Sequence, residues 1–522
     1  MPLSIAEENM LDWLKKAVFY EIYPQSFYDS NADGIGDFEG IIRKLDYIKE
    51  LGANALWINP CFDSPFKDAG YDVRDYRKTA SRYGSNEDLC RLFDAAHEKG
   101  IRVFLDLVPG HTSEEHPWFL ESRKAEQNEY SGRYIWTDWW IKGIKGHPYI
   151  GGESERNGTY MLNFFKCQPA LNYGFLNPEE PWQKGMDDPD CLKTREAVKD
   201  VIRFWLSLGC DGFRVDMADS LVKDDDEEKS GTCRVWRDIF ESVRKDYPEA
   251  AFVAEWNNSH QAIMGAGFDM DFFLNWRGNG YNSLLRDYET PGGDHSYFKA
   301  DGKGDITRFL DEYVPRLEEI KGRGYISLIS CNHDTTRPRE NLTIPELKVA
   351  YATLFTLPGV PFMYYGDEIG MRYLPVATKE GGYTRTGSRT PMQWNGGTNR
   401  GFSEAAKDEL YLPVDESADA PNVEDALKDE ASLLHVVRDI FMMRGSGSDF
   451  DADSDFSVLL GEKGKPFVYV RGNAICVVNP SDERMSAALK EFTGKKAVYL
   501  IGTADVDGDR LEMGAGSFVI LK

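Results

Sequence analysis

Residues 197–218, AVKDVIRFWLSLGCDGFRVDMA, contain the arrangement that decides the fold. Apolar side chains recur there at helical spacing, and one face of the predicted helix carries Val198, Val201, Ile202 and Trp205. Gly209 follows, as expected just past a helix C-terminus, and the apolar segment GFRVDMA (212–218) comes next. A helix that ends at glycine before a short, continuously apolar strand is typical of a parallel sheet buried on both faces.

The same arrangement occurs at two earlier positions, where Gly52 precedes ALWINP (55–60) and Gly100 precedes RVFLDLV (102–108). Short apolar segments of this kind give eight candidate strands, at residues 17–24, 55–60, 102–108, 212–218, 251–256, 270–276, 325–331 and 360–366. Helices that alternate with eight parallel strands predict an α/β fold, a closed (β/α)8 or TIM barrel.

Two further regions interrupt or follow the barrel pattern. Residues 109–211 separate the third and fourth strands, which is far more than one crossover helix needs. We therefore predict an inserted subdomain after strand three, at 112–178, between barrel segments at 1–111 and 179–445. From residue 446 to 522 short strands alternate with turns, which predicts a C-terminal antiparallel β-domain.

The composition argues against some classes of partner. The net charge of the 522 residues is −26, whereas nucleic acid and anionic membranes are bound through basic surfaces. No apolar run reaches the roughly 18 residues of a membrane span, and residues 1–16 lack a signal-peptide pattern. The eight cysteines form no CxxC pair and are expected to be reduced thiols. We expect a cytoplasmic monomer or weak homo-oligomer with no nucleic-acid or membrane partner.

Acidic side chains follow three of the predicted strands at their carboxyl ends. Asp216 ends strand four, Glu255 ends strand five and Asp334 follows strand seven. In a (β/α)8 barrel these ends meet at one face, where the active site lies. Hydrolysis of a glycosidic bond needs one carboxylate as nucleophile and one carboxylic acid as proton donor. We expect Arg214 to hold Asp216 ionised and Trp256 to help desolvate Glu255.

Six ordered segments resemble one known family. They are GANALWINP (52–60), DLVPGH (106–111), QPALN (168–172), GFRVD (212–216), AEW (254–256) and NHD (332–334). In content and order they resemble the sequence blocks of glycoside hydrolase family 13, the α-amylase superfamily, and within it the branch of oligo-1,6-glucosidases and α-glucosidases. The resemblance covers nearly the whole chain and implies a retaining glycoside hydrolase without an organic cofactor.

The resemblance implies a role for each matching residue. Asp216 is similar to the catalytic nucleophile, Glu255 to the general acid/base and Asp334 to the third acid, which holds sugar hydroxyls. The residues implied to serve the terminal glucose are His111, His333, Arg214 and Tyr71. Among them Arg214 would orient the nucleophile, and Tyr71 would stack under the sugar ring.

Four more residues bear on whether the enzyme acts at chain ends. Asp68 and Arg389 resemble the pair that closes the far side of the glucose pocket in the α-glucosidase branch. Gln168 also matches that branch, and Phe164 resembles its pocket-wall aromatic residue. A closed pocket admits one terminal sugar, whereas an amylase has an open groove, so the resemblance implies an exo-acting enzyme.

Several positions depart from the family pattern around the leaving-group side of the expected site. They are Gly110, Ala170, Met217, Asp219, Ser220 and Trp256. Gly110, where the family usually has Asn, also argues against an amylase-type calcium beside the inserted subdomain. The linkage, the aglycone and the choice between water and a sugar as acceptor therefore stay open.

The segment DSNADGIGD (29–37) has the alternate spacing of oxygen ligands found in calcium loops. The candidate ligands are Asp29, Asn31, Asp33, Asp37 and the Ile35 carbonyl. Gly40 stands where an EF-hand has its bidentate Glu, so no EF-hand is implied. The resembling branch binds a structural Ca²⁺ in this loop, and the alternative is an Asp- and Gly-rich turn without metal.

These features predict a retaining, exo-acting α-glucosidase that hydrolyses short α-glucosides from the non-reducing end through a covalent glucosyl-enzyme. One alternative is a transglucosidase or sucrose isomerase that uses the same intermediate, and another is an endo-acting α-amylase. A non-catalytic member of the fold is a third alternative, which the presence of all three acids argues against.

Overall fold

The computed structural model describes residues 10–138, 146–287 and 293–522. Two sequence-based interpretations extend outside these residues. Part of the N-terminal segment judged not to be a signal peptide lies at residues 1–9, and part of the predicted inserted subdomain lies at 139–145.

Eight parallel strands form a closed barrel, which confirms the predicted fold and all eight candidate strands. In chain order they are β1 (Phe19–Ile22), β2 (Ala55–Ile58), β3 (Arg102–Leu107), β4 (Gly212–Val215), β5 (Ala251–Ala254), β6 (Met270–Phe273), β7 (Tyr325–Ile329) and β8 (Val360–Tyr364). Each strand pairs with its sequence neighbour, and β8 closes the barrel by pairing with β1.

The strands are shorter at their carboxyl ends than the apolar patterns predict. Strand β4 ends at Val215 instead of 218, and β5 ends at Ala254 instead of 256. Just beyond these ends the backbone enters the left-handed region, with φ of 43° at Met217 and 60° at Asn257. Such a conformation ends strand pairing and turns the chain across the top of the barrel.

Helices surround the barrel, and several start and stop where the sequence predicts. They are α1 (Phe38–Leu51), α2 (Asn86–Glu98), α3 (Pro117–Ser122), α4 (Pro189–Ser207), α5 (Ser230–Arg244), α6 (Asn282–Leu285), α7 (Thr307–Glu319), α8 (Ile344–Leu354), α9 (Val423–Lys428) and α10 (Leu433–Ser446). Asp37 caps α1, because its Oδ1 accepts the Gly40 N–H at 2.7 Å. Gly52 ends α1 at φ 97°, a conformation that favours glycine.

Aromatic rings fill the barrel interior. Phe19 of β1 stacks on Phe362 of β8 with ring centroids 4.2 Å apart, and Phe104 packs edge-on against Phe19 at 4.8 Å. Phe272 of β6 lies 4.8 Å from Phe362. Full burial of each ring contributes about 1.5–3 kcal/mol, so this packed layer makes the barrel a rigid support for the residues above it.

The segment between β3 and α4 carries a small antiparallel sheet with strands Trp136–Thr137, Thr159–Met161 and Tyr149–Gly151. It contacts the barrel top, since the Leu171 N–H donates to the Gly110 carbonyl at 3.1 Å. The segment therefore forms one wall above β3 and β4, as expected of an insertion, while its predicted limits at 112 and 178 stay predictions.

The C-terminal region forms antiparallel sheets, as predicted. Five strands make one sheet, at Phe456–Leu460, Phe467–Arg471, Ala474–Asn479, Ser517–Leu521 and Ala497–Ile501. Three strands make a second sheet, at Met485–Ala488, Arg510–Met513 and Ala504–Asp507. Buried Arg471 joins this region to the barrel, since it donates to the Thr356 carbonyl at 2.9 Å.

All eight cysteines are free thiols, as expected, and all but Cys90 are buried. Of the helices in the described ranges, none has the length and apolar character that a membrane crossing requires.

Candidate active site

A cavity of about 360 Å³ opens at the carboxyl ends of the barrel strands. Its walls contain seven of the predicted site residues, namely Asp68, Tyr71, His111, Phe164, Asp216, Glu255 and Asp334. The other four, Gln168, Arg214, His333 and Arg389, are buried and hydrogen-bonded to this set. A larger cavity of about 680 Å³ lies at the opposite end of β7, beside α7, where none of the predicted site residues is found.

Arg214 on β4 is the cation that the acids share. Its Nη1 lies 2.8 Å from Asp106 Oδ1 and 3.1 Å from Asp216 Oδ1, and its Nη2 lies 2.8 Å from Glu255 Oε2. One positive charge thus faces three carboxyl groups, and like charges disfavour ionisation of all three together.

This arrangement corrects one expectation. Arg214 was expected to hold Asp216 ionised, but burial raises the pKa of Asp216 well above its usual value, and the positive charge of Arg214 only opposes that effect. Glu255 adds to the rise through its negative charge. Neutralising the charge of Glu255 would remove this contribution and favour the ionised form of Asp216.

Glu255 is oriented by the strained turn that follows β4. The Met217 N–H donates to Glu255 Oε2 at 2.9 Å, from a residue whose φ is 43°. Because Oε2 accepts from both Met217 and Arg214, Oε1 is the oxygen that can carry a proton towards a leaving group. Trp256, expected to desolvate this acid, instead bonds Gln261 through its Nε1 at 3.1 Å and packs against Phe268.

Asp334 lies between two arginines and a histidine. Its Oδ1 accepts from Arg389 at 2.8 Å and from Arg385 at 3.1 Å, and its Oδ2 lies 3.4 Å from His333 Nε2. Burial alone would raise the pKa of Asp334, but His333 and the two arginines outweigh burial, and the pKa is lowered. Asp334 is therefore ionised and suited to accept hydrogen bonds from sugar hydroxyls.

Asp68 and Arg389 belong to one network of charged side chains. Asp68 accepts from Gln168 at 2.7 Å and from Arg385 at 3.3 Å, whereas Arg389 bonds Asp334 and the His333 carbonyl. Arg385 joins the two halves, because it contacts both Asp68 and Asp334. Burial raises the pKa of Asp68 to about 6, with Arg385 opposing the rise. Asp68, Arg385 and Asp334 also line the cavity, so this network forms part of its wall.

Sequence reasoning missed Arg385, although a signal was present. It stands four residues before Arg389, within the short helical turn Tyr383–Ser388 that Arg389 directly follows. Residues at this spacing lie on one side of a turn, so two arginines there can reach the same acid.

His111 forms part of the wall as a neutral ring, since burial lowers its pKa to about 3. Lys223 Nζ donates to Asn163 Oδ1 at 3.1 Å, which leaves the Asn163 amide N–H to donate to His111 Nδ1 at 3.1 Å. His111 Nε2–H then donates to the Tyr71 carbonyl at 3.2 Å. The Asn163 amide also fills the space beside Gly110, where an added Cβ would lie 2.8 Å away.

Besides Arg385, four lining residues lie outside the predicted set, namely Met217, Asp219, Leu274 and Trp276. Trp276 is 53% exposed beyond the end of β6, and Phe164, in the inserted segment, is 50% exposed. Exposed aromatic faces suit contact with sugar rings. Asp219 and Met217 are among the positions where the sequence departs from the family, and the structure brings both to the cavity.

The candidate calcium loop forms a turn in which backbone N–H groups of the loop donate hydrogen bonds to its acidic side chains. Asp29 accepts from the backbone N–H groups of Ala32 at 2.8 Å and Gly34 at 2.7 Å, and Asp33 accepts from the Ile35 N–H. Asp37 is occupied as the cap of α1. Within the described ranges no three acidic, histidine or cysteine side chains converge as metal ligands. The arrangement does not form a ready ligand set, and the calcium prediction rests on the sequence of the loop.

Comparison with known proteins agrees with this geometry. The family model of the α-amylase catalytic domain matches residues 21–450. An oligo-1,6-glucosidase of Heyndrickxia coagulans is 33% identical over 525 residues, covering 89% of this chain and 90% of that protein. The trehalose synthase/amylase TreS of Mycolicibacterium smegmatis is 32% identical over 509 residues, covering 88% and 80%. The crystal structure of trehalulose synthase MutB from Pseudomonas mesoacidophila MX-45 has a TM-score of 0.80 at 25% identity, covering 98% and 99%.

An eight-stranded barrel with three acids around its carboxyl-end cavity, together with these relatives, defines a glycoside hydrolase. The chain belongs to the α-amylase family. Both statements confirm what the six sequence blocks imply.

Proposed function

We propose that the protein is a retaining, exo-acting α-glucosidase that hydrolyses short α-glucosides from their non-reducing end. The observation that carries the proposal is the network of Asp68, Arg385 and Asp334 in the cavity wall beside Asp216 and Glu255, and we infer that this network closes one end of the cavity. A cavity closed at one end accommodates a terminal sugar and leaves no path for a chain to continue. The similarity to oligo-1,6-glucosidases supports the same function.

The chemistry follows from the positions of the two acids. Asp216 attacks the anomeric carbon, and Glu255 transfers its proton to the departing glycosidic oxygen, giving a glucosyl ester and a free leaving group. Glu255, now ionised, takes a proton from water as that water displaces Asp216. Two displacements at one carbon give a product of the original α configuration.

The remaining residues hold the sugar during these steps. Asp334, kept ionised by its arginines, would accept from hydroxyl groups of the glucose ring. Arg214 keeps Asp216 and Glu255 on either side of one guanidinium, so the pair that exchanges charge during the reaction stays in place. Tyr71, fixed by Asp106 and His333, provides the aromatic surface on which the terminal ring would lie.

The closed end of the cavity gives the first prediction. Asp68→Ala should lower transition-state stabilisation by about 2–3 kcal/mol, because the sugar loses a charged hydrogen-bond partner. Arg385 should stay in place, since it also pairs with Asp334. The measurement is kcat/KM for maltose and isomaltose. Asp63→Ala is the matched control, since Asp63 also pairs with an arginine, Arg74, but lies outside the cavity. Similar losses in both variants would refute a specific role for Asp68.

The same closure predicts the action on longer substrates. The wild-type protein should release single glucose units from maltooligosaccharides and leave intact those blocked at the non-reducing end. Digests analysed by chromatography against unblocked oligosaccharide measure this directly. Rapid internal cleavage of the blocked substrate would replace the exo assignment by the endo-acting alternative.

A transglucosidase or sucrose isomerase is the second candidate, favoured by the similarity to TreS and to the trehalulose synthase structure. It would use the same glucosyl-enzyme with a sugar as acceptor instead of water. Incubation with sucrose, maltose, isomaltose, trehalose and kojibiose, followed by product analysis, separates the two. Free glucose as the main product supports hydrolysis, and a rearranged disaccharide supports isomerisation.

We also propose a structural Ca²⁺ in the 29–37 loop, on the strength of its ligand spacing. Chelation should then lower the melting temperature, because a ligand that binds only the folded protein stabilises it. Asp33→Ala should abolish this response, since Asp33 is exposed and its visible role is a single turn hydrogen bond. Metal analysis of purified protein showing no calcium, with melting insensitive to EDTA and to added Ca²⁺, would establish the metal-free turn.

We also propose a cellular location and an oligomeric state. Free cysteines and the net charge of −26 support a cytoplasmic protein that binds small α-glucosides and has no nucleic-acid or membrane partner. A monomer or weak homo-oligomer is expected, which sedimentation at several concentrations measures.

A further inference from the structure

A buried carboxyl group lies beneath the cavity and has no role in the chemistry described above. Glu21 on β1 is fully buried, and its Oε1 lies 3.0 Å from His333 Nδ1. Asn59 Nδ2 lies 3.1 Å from both of these atoms. On its other side His333 faces the cavity wall, with Nε2 2.6 Å from the Tyr71 hydroxyl and 3.4 Å from Asp334 Oδ2. His333 thus connects Glu21 to the expected sugar site.

The single hydroxyl proton of Tyr71 decides which nitrogen of His333 carries hydrogen. Asp106 Oδ2, an acceptor that also receives the Trp57 N–H, lies 3.1 Å from the Tyr71 hydroxyl. If Tyr71 donates to Asp106, its oxygen is free to accept from Arg214 at 3.2 Å and from His333 Nε2–H. If Tyr71 donated to His333 instead, the oxygens of Tyr71 and Asp106 would face each other as two acceptors. The first arrangement satisfies every contact and places the proton of His333 on Nε2.

With hydrogen on Nε2, the Nδ1 atom of a neutral His333 is an acceptor and needs a donor. Asn59 supplies one N–H, and Glu21 can supply another only in its protonated form. We propose that Glu21 is a positioning residue that stays protonated, donates to His333 Nδ1 and thereby makes His333 present Nε2–H to the Tyr71 hydroxyl.

The surroundings of Glu21 support this protonation state. Its Oε2 has no hydrogen-bond partner in the described part of the chain, and a bare carboxylate oxygen in the barrel interior would be costly. The groups that face it are His333, Arg214, Asp106 and Tyr364. Burial raises the pKa of Glu21 well above its usual value, although Asn59 and Arg214 oppose the rise. Burial also lowers the pKa of His333, which keeps its ring neutral.

The consequence is a fixed Tyr71 side chain in the cavity wall. The Tyr71 oxygen accepts Nε2–H of His333 at 2.6 Å, and the Tyr71 O–H donates to Asp106 at 3.1 Å. The Tyr71 ring, on which the terminal sugar is proposed to lie, is thereby held in place. This consequence rests on the proposed function, but the protonation of Glu21 and the hydrogen position on His333 do not.

The direct test is nitrogen NMR of the whole protein with ¹⁵N-labelled histidine at neutral pH. His333→Gln identifies the His333 signals by subtraction among those of the eight histidines. We expect a protonated Nε2 and an unprotonated Nδ1 for His333. The opposite tautomer, or a doubly protonated ring, would overturn the proposal whether or not the protein hydrolyses glucosides.

Glu21→Gln tests whether position 21 needs a hydrogen-bond donor or a negative charge. The amide N–H can donate to Nδ1 as the carboxylic acid does, so the tautomer of His333 should be unchanged. The kcat/KM for an aryl α-glucoside should stay within about threefold of wild type, as expected when no charge is removed. The Gln side chain can either donate through its N–H or accept through its oxygen, so the wild-type tautomer reports the protonation state of Glu21, and the variant shows whether a neutral donor is sufficient. Glu368→Gln is the control for altering a buried glutamate, because Glu368 bonds Tyr20 and Tyr47 away from His333. A changed tautomer in Glu21→Gln but not in Glu368→Gln would contradict the proposal.

Discussion

Asp216→Asn is expected to lower kcat for an aryl α-glucoside by on the order of 10⁴-fold or more, because an amide cannot form the covalent ester. The fold should be kept, since Asn has nearly the size of Asp and Arg214 retains Asp106 and Glu255 as partners. Steady-state kinetics with an activated substrate measures the loss, because such a substrate needs no help from the general acid.

The same variant should be more stable than wild type at neutral pH. An acid whose folded-state pKa is raised destabilises the folded protein once the pH exceeds its unfolded value of about 4, because the unfolded chain ionises more readily. The gain in melting temperature should therefore vanish at pH below about 4 and grow as the pH rises above it. Asp211→Asn is the control, since Asp211 precedes the same strand at its other end and bonds His97 and Arg102. Near-normal turnover by Asp216→Asn would exclude Asp216 as nucleophile.

Glu255→Gln is expected to separate substrates by the quality of their leaving groups. For maltose or isomaltose, kcat/KM should fall by about 10²–10⁴-fold, because their alcohol leaving groups need a proton. For glucosyl fluoride or a nitrophenyl glucoside the first step should be affected far less. The Gln side chain still offers an oxygen to the Met217 N–H, so the variant tests the proton rather than the local geometry.

The comparison uses a series of aryl glucosides with leaving groups of different acidity, with wild type measured in parallel. In the variant, log kcat/KM should depend more steeply on leaving-group pKa than in wild type. Equal losses on good and poor leaving groups would show that Glu255 is not the acid. Added azide gives an independent readout, since a small nucleophile can replace the activated water and release a glucosyl azide.

The fold could be predicted from the sequence because the patterns that indicate it are local and repeated. Each buried parallel strand is a short apolar run, and helix ends at glycines such as Gly52 are set by backbone conformation. The strand ends were less accessible. Nothing in the letters of GFRVDMA indicates that Met217 adopts φ 43°, because non-glycine residues rarely do so and here the surrounding structure imposes it.

The acids of the site could be predicted from the sequence, because a parallel barrel brings the carboxyl ends of its strands to one face. The pairing of their charges could not be predicted in this way. The sequence placed Asp68 and Arg389 at one end of the pocket, but it did not indicate that Arg385 contacts both Asp68 and Asp334, because only the three-dimensional path of the 383–388 turn determines this. Glu21 shows the same limit, since a glutamate in the first strand gives no sign that it meets a histidine more than 300 positions later.

The central claim is that Asp216 and Glu255 carry out a double displacement on an α-glucoside. It is tested most directly by proton NMR of the sugar released in the first minutes of hydrolysis, before mutarotation mixes the anomers. The account predicts that α-glucose appears first and β-glucose accumulates only later, at the rate of mutarotation. Appearance of β-glucose as the first product would contradict the two-step mechanism and the roles given to both acids.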